Sequence, residues 1–241
     1  MKRKDVEVHE DFESDISINA AINHIAMSYK DGQVLVKSLE DPSKLLFALT
    51  DASKSCEWVE YSPNSEKLAC GSHDKKIYIY QCDRLKYDLI RTYEFHSGGI
   101  IAIDWCVNSK FLRSNCDSNE LIYWKISQKK YLSPEQATDI QWNSQNCKLS
   151  WNTQGVIPYG ASPDLVNCCA TEETLDIIAT GDDNGRVNIY NNPCLPDYNK
   201  GRMYRGHAGH IGRIDFSPGG EYMFSVGGYD HTVIQWKKVH D

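Results

Sequence analysis

A short polar turn followed by a β-rich run of about six residues recurs five times in this chain. That recurrence limits the possible folds more than any other feature. In FSVGGYDHTVIQW, Asp230 precedes Trp236 by six positions. The same spacing places Asp31 before Lys37, Asp74 before Tyr80, Ser118 before Trp124 and Asn184 before Tyr190. In the Ser118 and Asn184 turns an acid, Asp117 or Asp183, stands one position earlier. The steps between aligned residues are 43, 44, 66 and 46. Four-stranded propeller blades repeat about every 40–45 residues, so the long step carries an insertion of about twenty residues.

The upstream half of each unit repeats as well. Tyr61, Trp105 and Phe216 lie 13 or 14 positions before the aligned turn, and Ser62-Pro63 and Ser217-Pro218 follow two of them. EWVEYSP, KLACGSHD and KIYIY read as three strands joined by tight turns. The pattern returns as IIAIDW, FLRSNCD and LIYW, and as GRIDFSP, YMFSVGGYD and TVIQW. Helical periodicity is nearly absent. One such meander cannot bury both of its faces, whereas neighbours stacked around an axis can. The expected fold is all-β: a β-propeller of about five blades, partial or small, with one insertion hairpin. Residues 1–14 form a charged lead, 15–241 the propeller units and 129–160 the insertion. The VEVHE run near the start is a candidate outer strand for the last blade.

Composition narrows the function. The net charge of −7 argues against bulk affinity for nucleic acid or anionic lipid. No run of about 18 apolar residues is present to span a membrane, and the basic start lacks the apolar core of a secretory signal. The nine cysteines contain no CxxC pair, and several sit in strand-like runs (Cys70, Cys168, Cys169). Cysteine used as a small buried hydrophobe fits a reducing, cytoplasmic compartment.

The Asp, His, Ser and Trp of the last unit raise the question of a catalytic cluster. A catalyst needs one such cluster, whereas the turn recurs, so the expected role is structural. The hydrolase elbow GxSxG and the phosphate loop GxxxxGK[ST] are both absent. His207 and His210 have HxxH spacing without Cys or carboxylate partners, a weak metal signal. Asp182-Asp183-Asn184-Gly185 lacks the downstream Glu of a calcium loop and reads as a blade turn. No cofactor or metal is expected.

Gly-His…Ser-Pro…Asp…Trp resembles the WD-repeat pattern. Four stretches resemble more specifically the carboxy-terminal propeller of the echinoderm microtubule-associated protein-like family. They are FLRSNCDSNELIYW, TDIQWNSQNCKLSWNTQGVIP, IIATGDDNGRVNIYNNPC and GHAGHIGRIDFSPGGEYMFSVGGYDHTVIQW. The resemblance implies a WD-type propeller whose turn acids (Asp31, Asp74, Asp117, Asp183, Asp230) act with His207 and Trp236 in a blade network, relayed by Ser225 or Thr232. It also implies a non-catalytic protein of the cytoplasm and cytoskeleton that associates with tubulin or microtubules. The family's hydrophobic motif ahead of its propellers and its coiled coil are not visible, so the chain reads as the terminal portion of such a protein. The alternative is a WD-type adaptor for another protein or peptide.

The insertion is the candidate partner surface: Lys129, Lys130, Tyr131, Trp142, Trp151 and Tyr159. Either DIQW and KLSW pair as an extra hairpin packed on a blade edge, or the aromatics and lysines anchor a partner. Lys75-Lys76 and Lys200, Arg202 and Arg205 are further basic patches.

Overall fold

A computed structural model describes residues 13–157, 162–172, 174, 176–196 and 200–238. Tyr159, the VEVHE run and most of the charged lead lie outside them. The described residues form five antiparallel sheets, each made of strands consecutive in the chain. The first contains β1 (Glu13–Asn19), β2 (His24–Tyr29), β3 (Val34–Ser38) and β4 (Leu45–Leu49). The second contains β5 (Cys56–Tyr61), β6 (Lys67–Ser72), β7 (Ile77–Cys82) and β8 (Tyr87–Tyr93). The third contains β9 (Ile100–Trp105), β10 (Phe111–Cys116), β11 (Leu121–Lys125) and β12 (Tyr131–Leu132). The fourth contains β13 (Val166–Glu172), β14 (Ile177–Asp182), β15 (Arg186–Asn191) and β16 (Arg202–Arg205). The fifth has three strands, β17 (Ile211–Phe216), β18 (Tyr222–Gly227) and β19 (Val233–Lys237). These are five propeller-type blades. No helix among the described residues is long and apolar enough to cross a membrane.

The repeat is reproduced strand by strand. The last aligned residue of each unit pairs with the second residue of the preceding strand: Lys37 with Ile25, Tyr80 with Leu68, Trp124 with Leu112, Tyr190 with Ile178, and Trp236 with Met223. Side chains alternate faces along a strand, so a one-residue slip would turn each apolar set outward. The turns share a backbone feature too. The residue after each aligned position has a left-handed backbone: Gly32 (φ 90°), Lys75 (74°), Asn119 (60°), Gly185 (72°) and His231 (53°). Glycine adopts this conformation freely, whereas lysine and histidine bear a steric cost.

The chain divides into two compact units, Met1–Asn143 and Ser144–Asp241. The first contains the first three blades. Between blades 1 and 2, Ala26, Val36, Val59, Leu68, Tyr78 and Tyr80 belong to one buried cluster. The Trp105 indole Nε1 donates to the Glu60 carbonyl at 3.0 Å, tying blade 3 to blade 2. The second unit contains blades 4 and 5, joined by a cluster that includes Ala179, Val187, Ile211, Ile214 and Met223. Gly71 in β6 and Gly181 in β14 admit an isoleucine of the next blade, Ile100 and Ile211 respectively.

The insertion departs from expectation. Tyr131-Leu132 is the short fourth strand of blade 3, and the boundary between the units falls after Asn143. The pairing of DIQW with KLSW is not formed. Trp142 instead makes a single bridge with Cys106, and Trp151 opens a 3-10 turn, Trp151–Thr153. Side chains take the main-chain groups a ladder would need. Gln145 Nε2 donates to the Cys147 carbonyl at 2.6 Å, Thr153 Oγ1 to the Lys148 carbonyl at 2.7 Å, and Ser150 N to Thr153 Oγ1 at 2.9 Å. The Lys148 ammonium is buried and donates to the carbonyls of Val166 and Pro163 at 2.7 and 3.0 Å.

Candidate functional site

The last blade contains a linear chain of hydrogen bonds. Trp236 Nε1 donates to Ser225 Oγ at 2.8 Å, and Ser225 Oγ meets His207 Nε2 at 2.7 Å. His207 Nδ1 faces Asp230 Oδ2 at 3.2 Å and Thr232 Oγ1 at 3.0 Å. Ser225 is therefore the relay, and Thr232 braces Asp230 and the histidine. With the tryptophan donating, the serine proton goes to Nε2 and the Nδ1 proton to the carboxylate. No donor is left over. The Ala208 N–H, at 2.8 Å, holds the Asp230 carboxyl well below the usual carboxylate range. Ser225 is 0% exposed and bonded on both sides, whereas an attacking serine must be reachable by its substrate.

Blade 3 contains a second copy, which the sequence pattern alone did not reveal. Trp124 Nε1 donates to Ser114 Oγ at 2.8 Å, Ser114 Oγ meets His96 Nε2 at 2.7 Å, and His96 Nδ1 meets Glu120 Oε2 at 3.1 Å. The signal was present in the spacing: His96 lies 28 residues before Trp124, and His207 lies 29 before Trp236. The acid, however, is a glutamate two positions after the aligned Ser118, and its longer side chain reaches back to the histidine. The Ser97 hydroxyl and N–H, at 2.6 and 2.9 Å, hold Glu120 down at about 2. Burial lowers the His96 pKa against the pull of Glu120. Cys116 Sγ donates to Glu120 at 3.3 Å, so His96, Cys116 and Glu120 also have metal-type spacing, which these hydrogen bonds account for.

The other named turn residues are placed as follows. Asp74 accepts from Ser53 N at 2.9 Å, Lys76 N at 3.1 Å and the Tyr78 hydroxyl at 2.7 Å. Burial would raise its pKa, but the donors from Ser53 and Tyr78 prevail and lower it. Asp31 accepts from Gln33 N at 2.9 Å. Asp117 lies beside Ser118, its N–H bonded to the Gly99 carbonyl, outside the His96 chain. Asp183 accepts from Asn167, while Asp182 accepts from the N–H groups of Asn184 and Arg186 and so shapes that turn.

Of the described insertion residues, Lys129, Lys130, Tyr131 and Trp142 belong to the first unit and Trp151 to the second. Lys129 and Lys130 are exposed, and Tyr131 is 56% exposed, edge-on to Phe95 at 5.5 Å. Trp142 is half-buried. The Arg113 guanidinium sits 4.6 Å over its ring and pairs with buried Asp104 at 2.8 Å. Trp142 thus roofs an ion pair. Trp151, in the other unit, is 64% exposed. His207 is committed to its chain and His210 is exposed.

With this geometry in view, residues 4–238 match the family model described as the echinoderm microtubule-associated protein second beta-propeller. The chain belongs to that family. Among relatives of this echinoderm microtubule-associated protein propeller, the ciliary WD repeat-containing protein ctxp80 of Euplotoides octocarinatus is 32% identical over 92% of this chain and 31% of its own length. Echinoderm microtubule-associated protein-like 1 of Rattus norvegicus is 34% identical over 79% of this chain and 24% of its own. The 77 kDa echinoderm microtubule-associated protein of Lytechinus variegatus is 31% identical over 79% and 29%. The chain thus spans about a quarter to a third of these relatives. A chain in the crystal structure of the mitotic checkpoint complex shares the fold, with a TM-score of 0.57 at 13% identity over 94% of this chain and 61% of that one.

Proposed function

We propose that this chain is a non-catalytic WD-repeat scaffold that contributes to association with tubulin or microtubules in the cytoplasm. The observation that carries the reading is the family match over residues 4–238. It is joined by relatives whose names describe microtubule-associated proteins. The buried, internally satisfied His-Ser-Trp chains support a scaffold, because their polar atoms are spent on the fold. We assign the contact to Lys129, Lys130 and Tyr131, with Trp151 as a second exposed anchor. Tyr159 completes the proposed set, in which Trp142 serves as support. Exposed cations and aromatics suit an acidic protein surface.

Co-pelleting with microtubules at low and moderate salt tests this. Binding at low salt that weakens steeply as salt rises is the expected result. Replacing Lys129 and Lys130 together by Glu should abolish pelleting while leaving the melting temperature unchanged. Unaltered pelleting would remove the contact assignment. A second reading is an adaptor for another protein without direct microtubule contact. Absence of pelleting at both salts would select it.

A further inference from the structure

The two histidine chains differ at one position beside the imidazole. The sixth residue of the second strand is Cys116 in β10 and Gly227 in β18. A Cβ built on Gly227 would meet His207 Nδ1 at 2.6 Å, so this position faces the histidine. In blade 3 it carries a thiol. Three parts of that blade meet there: the loop entering β9 brings His96, the end of β10 brings Cys116, and the turn into β11 brings Glu120. His96 Nδ1 is 3.1 Å and Cys116 Sγ 3.3 Å from Glu120 Oε2, and the three ligand-type atoms lie within 4.8 Å of one another. Bond lengths in a tetrahedral zinc site put N and O about 3.4 Å apart, and S and O about 3.6 Å apart. Each contact would open by only about 0.3 Å to admit the ion. The N–H groups of Ser118 and Glu120 also donate to the Cys116 sulfur, an outer set of bonds that favours a thiolate. His96 and Cys116 are buried, whereas the Glu120 side chain is 35% exposed and gives a path to solvent.

We infer that His96 Nδ1, Cys116 Sγ and a Glu120 carboxylate oxygen bind one zinc ion, with a water completing the tetrahedron on the exposed side of Glu120. Zinc takes nitrogen, sulfur and oxygen ligands together, whereas magnesium and calcium take oxygen. A neutral imidazole, one thiolate and one carboxylate cancel the charge of a divalent ion. The balance is one proton: the Cys116 S–H proton leaves to solvent as the S–Zn bond forms. His96 stays neutral. Its proton passes from Nδ1 to Nε2, where Ser114 Oγ accepts it beside the Trp124 N–H. The Ser114 hydroxyl hydrogen then loses His96 as its acceptor, a cost that sets this site below a closed four-ligand site in affinity. The inference goes beyond the microtubule reading and is independent of it, because metal binding is read on the protein alone.

The test treats the intact protein with a chelator and titrates it with cobalt(II), which takes the place of zinc and reports on its ligands. A thiolate-to-cobalt charge-transfer band should appear in the near ultraviolet and saturate at one ion per chain, and added zinc should bleach it. Zinc itself should release one proton per ion bound and raise the melting temperature. Cys116→Ser should abolish the band. Ser72 holds the same position in blade 2, where its hydroxyl accepts from a turn N–H, so serine suits this corner. Glu120→Gln should keep the band and weaken zinc binding at least about tenfold, a second variant that decides the matter even where Cys116→Ser does not fold. Absence of the band in the parent protein would overturn the site. A band unchanged in Cys116→Ser would overturn it too, by assigning the metal to another of the nine thiols. Zinc affinity unaltered in Glu120→Gln would overturn the ligand set.

Discussion

A Cβ built on Gly71 would stand 2.6 Å from Ile100 Cγ2, and one built on Gly181 would stand 2.6 Å from Ile211 Cγ2. The same close approach joins blade 2 to blade 3 and blade 4 to blade 5. Each glycine occupies the fifth position of a second strand, and each isoleucine opens the next blade's first strand. Gly71→Ala should therefore cost about 1–3 kcal/mol, the usual penalty for overpacking a filled core. Gly212 supplies the contrast: the nearest atom to its added Cβ is 3.9 Å away, so Gly212→Ala should be tolerated. Urea unfolding of the two variants, read as a shift in midpoint at constant slope, checks the difference.

Ser114 and Ser225 are the central links of the two His-Ser-Trp chains. Replacing either by Ala leaves a buried imidazole nitrogen and an indole N–H without their partner. Each replacement should cost about 1–3 kcal/mol. The two sites lie in different compact units and share no partner, so the costs should add in the double variant to within about 0.5 kcal/mol. Thermal unfolding of the two single variants and the double variant decides the matter.

Acid should loosen blade 3 in two stages. Its His96 pKa is lowered by burial, so below about pH 6.5 the unfolded imidazole takes a proton that the folded one resists, and stability falls. Glu120 is held at about 2 in the fold and titrates near 4.3 when unfolded, so its contribution is complete above that pH and is lost as pH drops toward 2. Glu120→Gln should be less stable than the parent at pH 7, and the difference should shrink only once the pH falls below about 4.3. Denaturation midpoints between pH 7 and pH 3 would show this. A constant difference would contradict it.

All nine cysteines are buried as free thiols. Burial pushes Cys56, Cys82 and Cys168 up to about 12. Thiolate is the reactive form, so a chromogenic disulfide reagent should titrate almost none of them in the native protein. In denaturant it should titrate all nine.

Lys75 occupies a left-handed backbone position at φ 74° without glycine's freedom. Lys75→Gly should be neutral or stabilising by up to about 1 kcal/mol, the relief of a side-chain clash set against greater freedom in the unfolded chain. Gly185→Ala, at φ 72°, should be destabilising. The two melting temperatures, compared with the parent's, check the opposed signs.

The blade register was legible because it depends on two short periods, the two-residue alternation of a strand and the recurrence of a polar corner six residues before its end. Both are written in residue type. The last blade's hydrogen-bond chain was legible for a similar reason, since Asp230 and His207 occupy positions the WD pattern marks. Blade 3 hid its equivalent because Glu120 delivers a carboxylate from a different position along the chain, and reach in space does not appear as spacing. The insertion misled for the opposite reason. Trp142 and Trp151 fall where paired strands would put them, but Gln145, Ser150 and Thr153 capture the main chain between them.

The left-handed residue that follows each aligned corner is lysine in one blade, asparagine in another, histidine in a third and glycine in two. Five unlike segments therefore trace one bend, and no single side chain is its author. The bend is common property, but its lettering is free only in part: a side chain fits at Lys75, Asn119 and His231, whereas at Gly32 and Gly185 an added Cβ would run into backbone carbonyls of the chain entering the next blade.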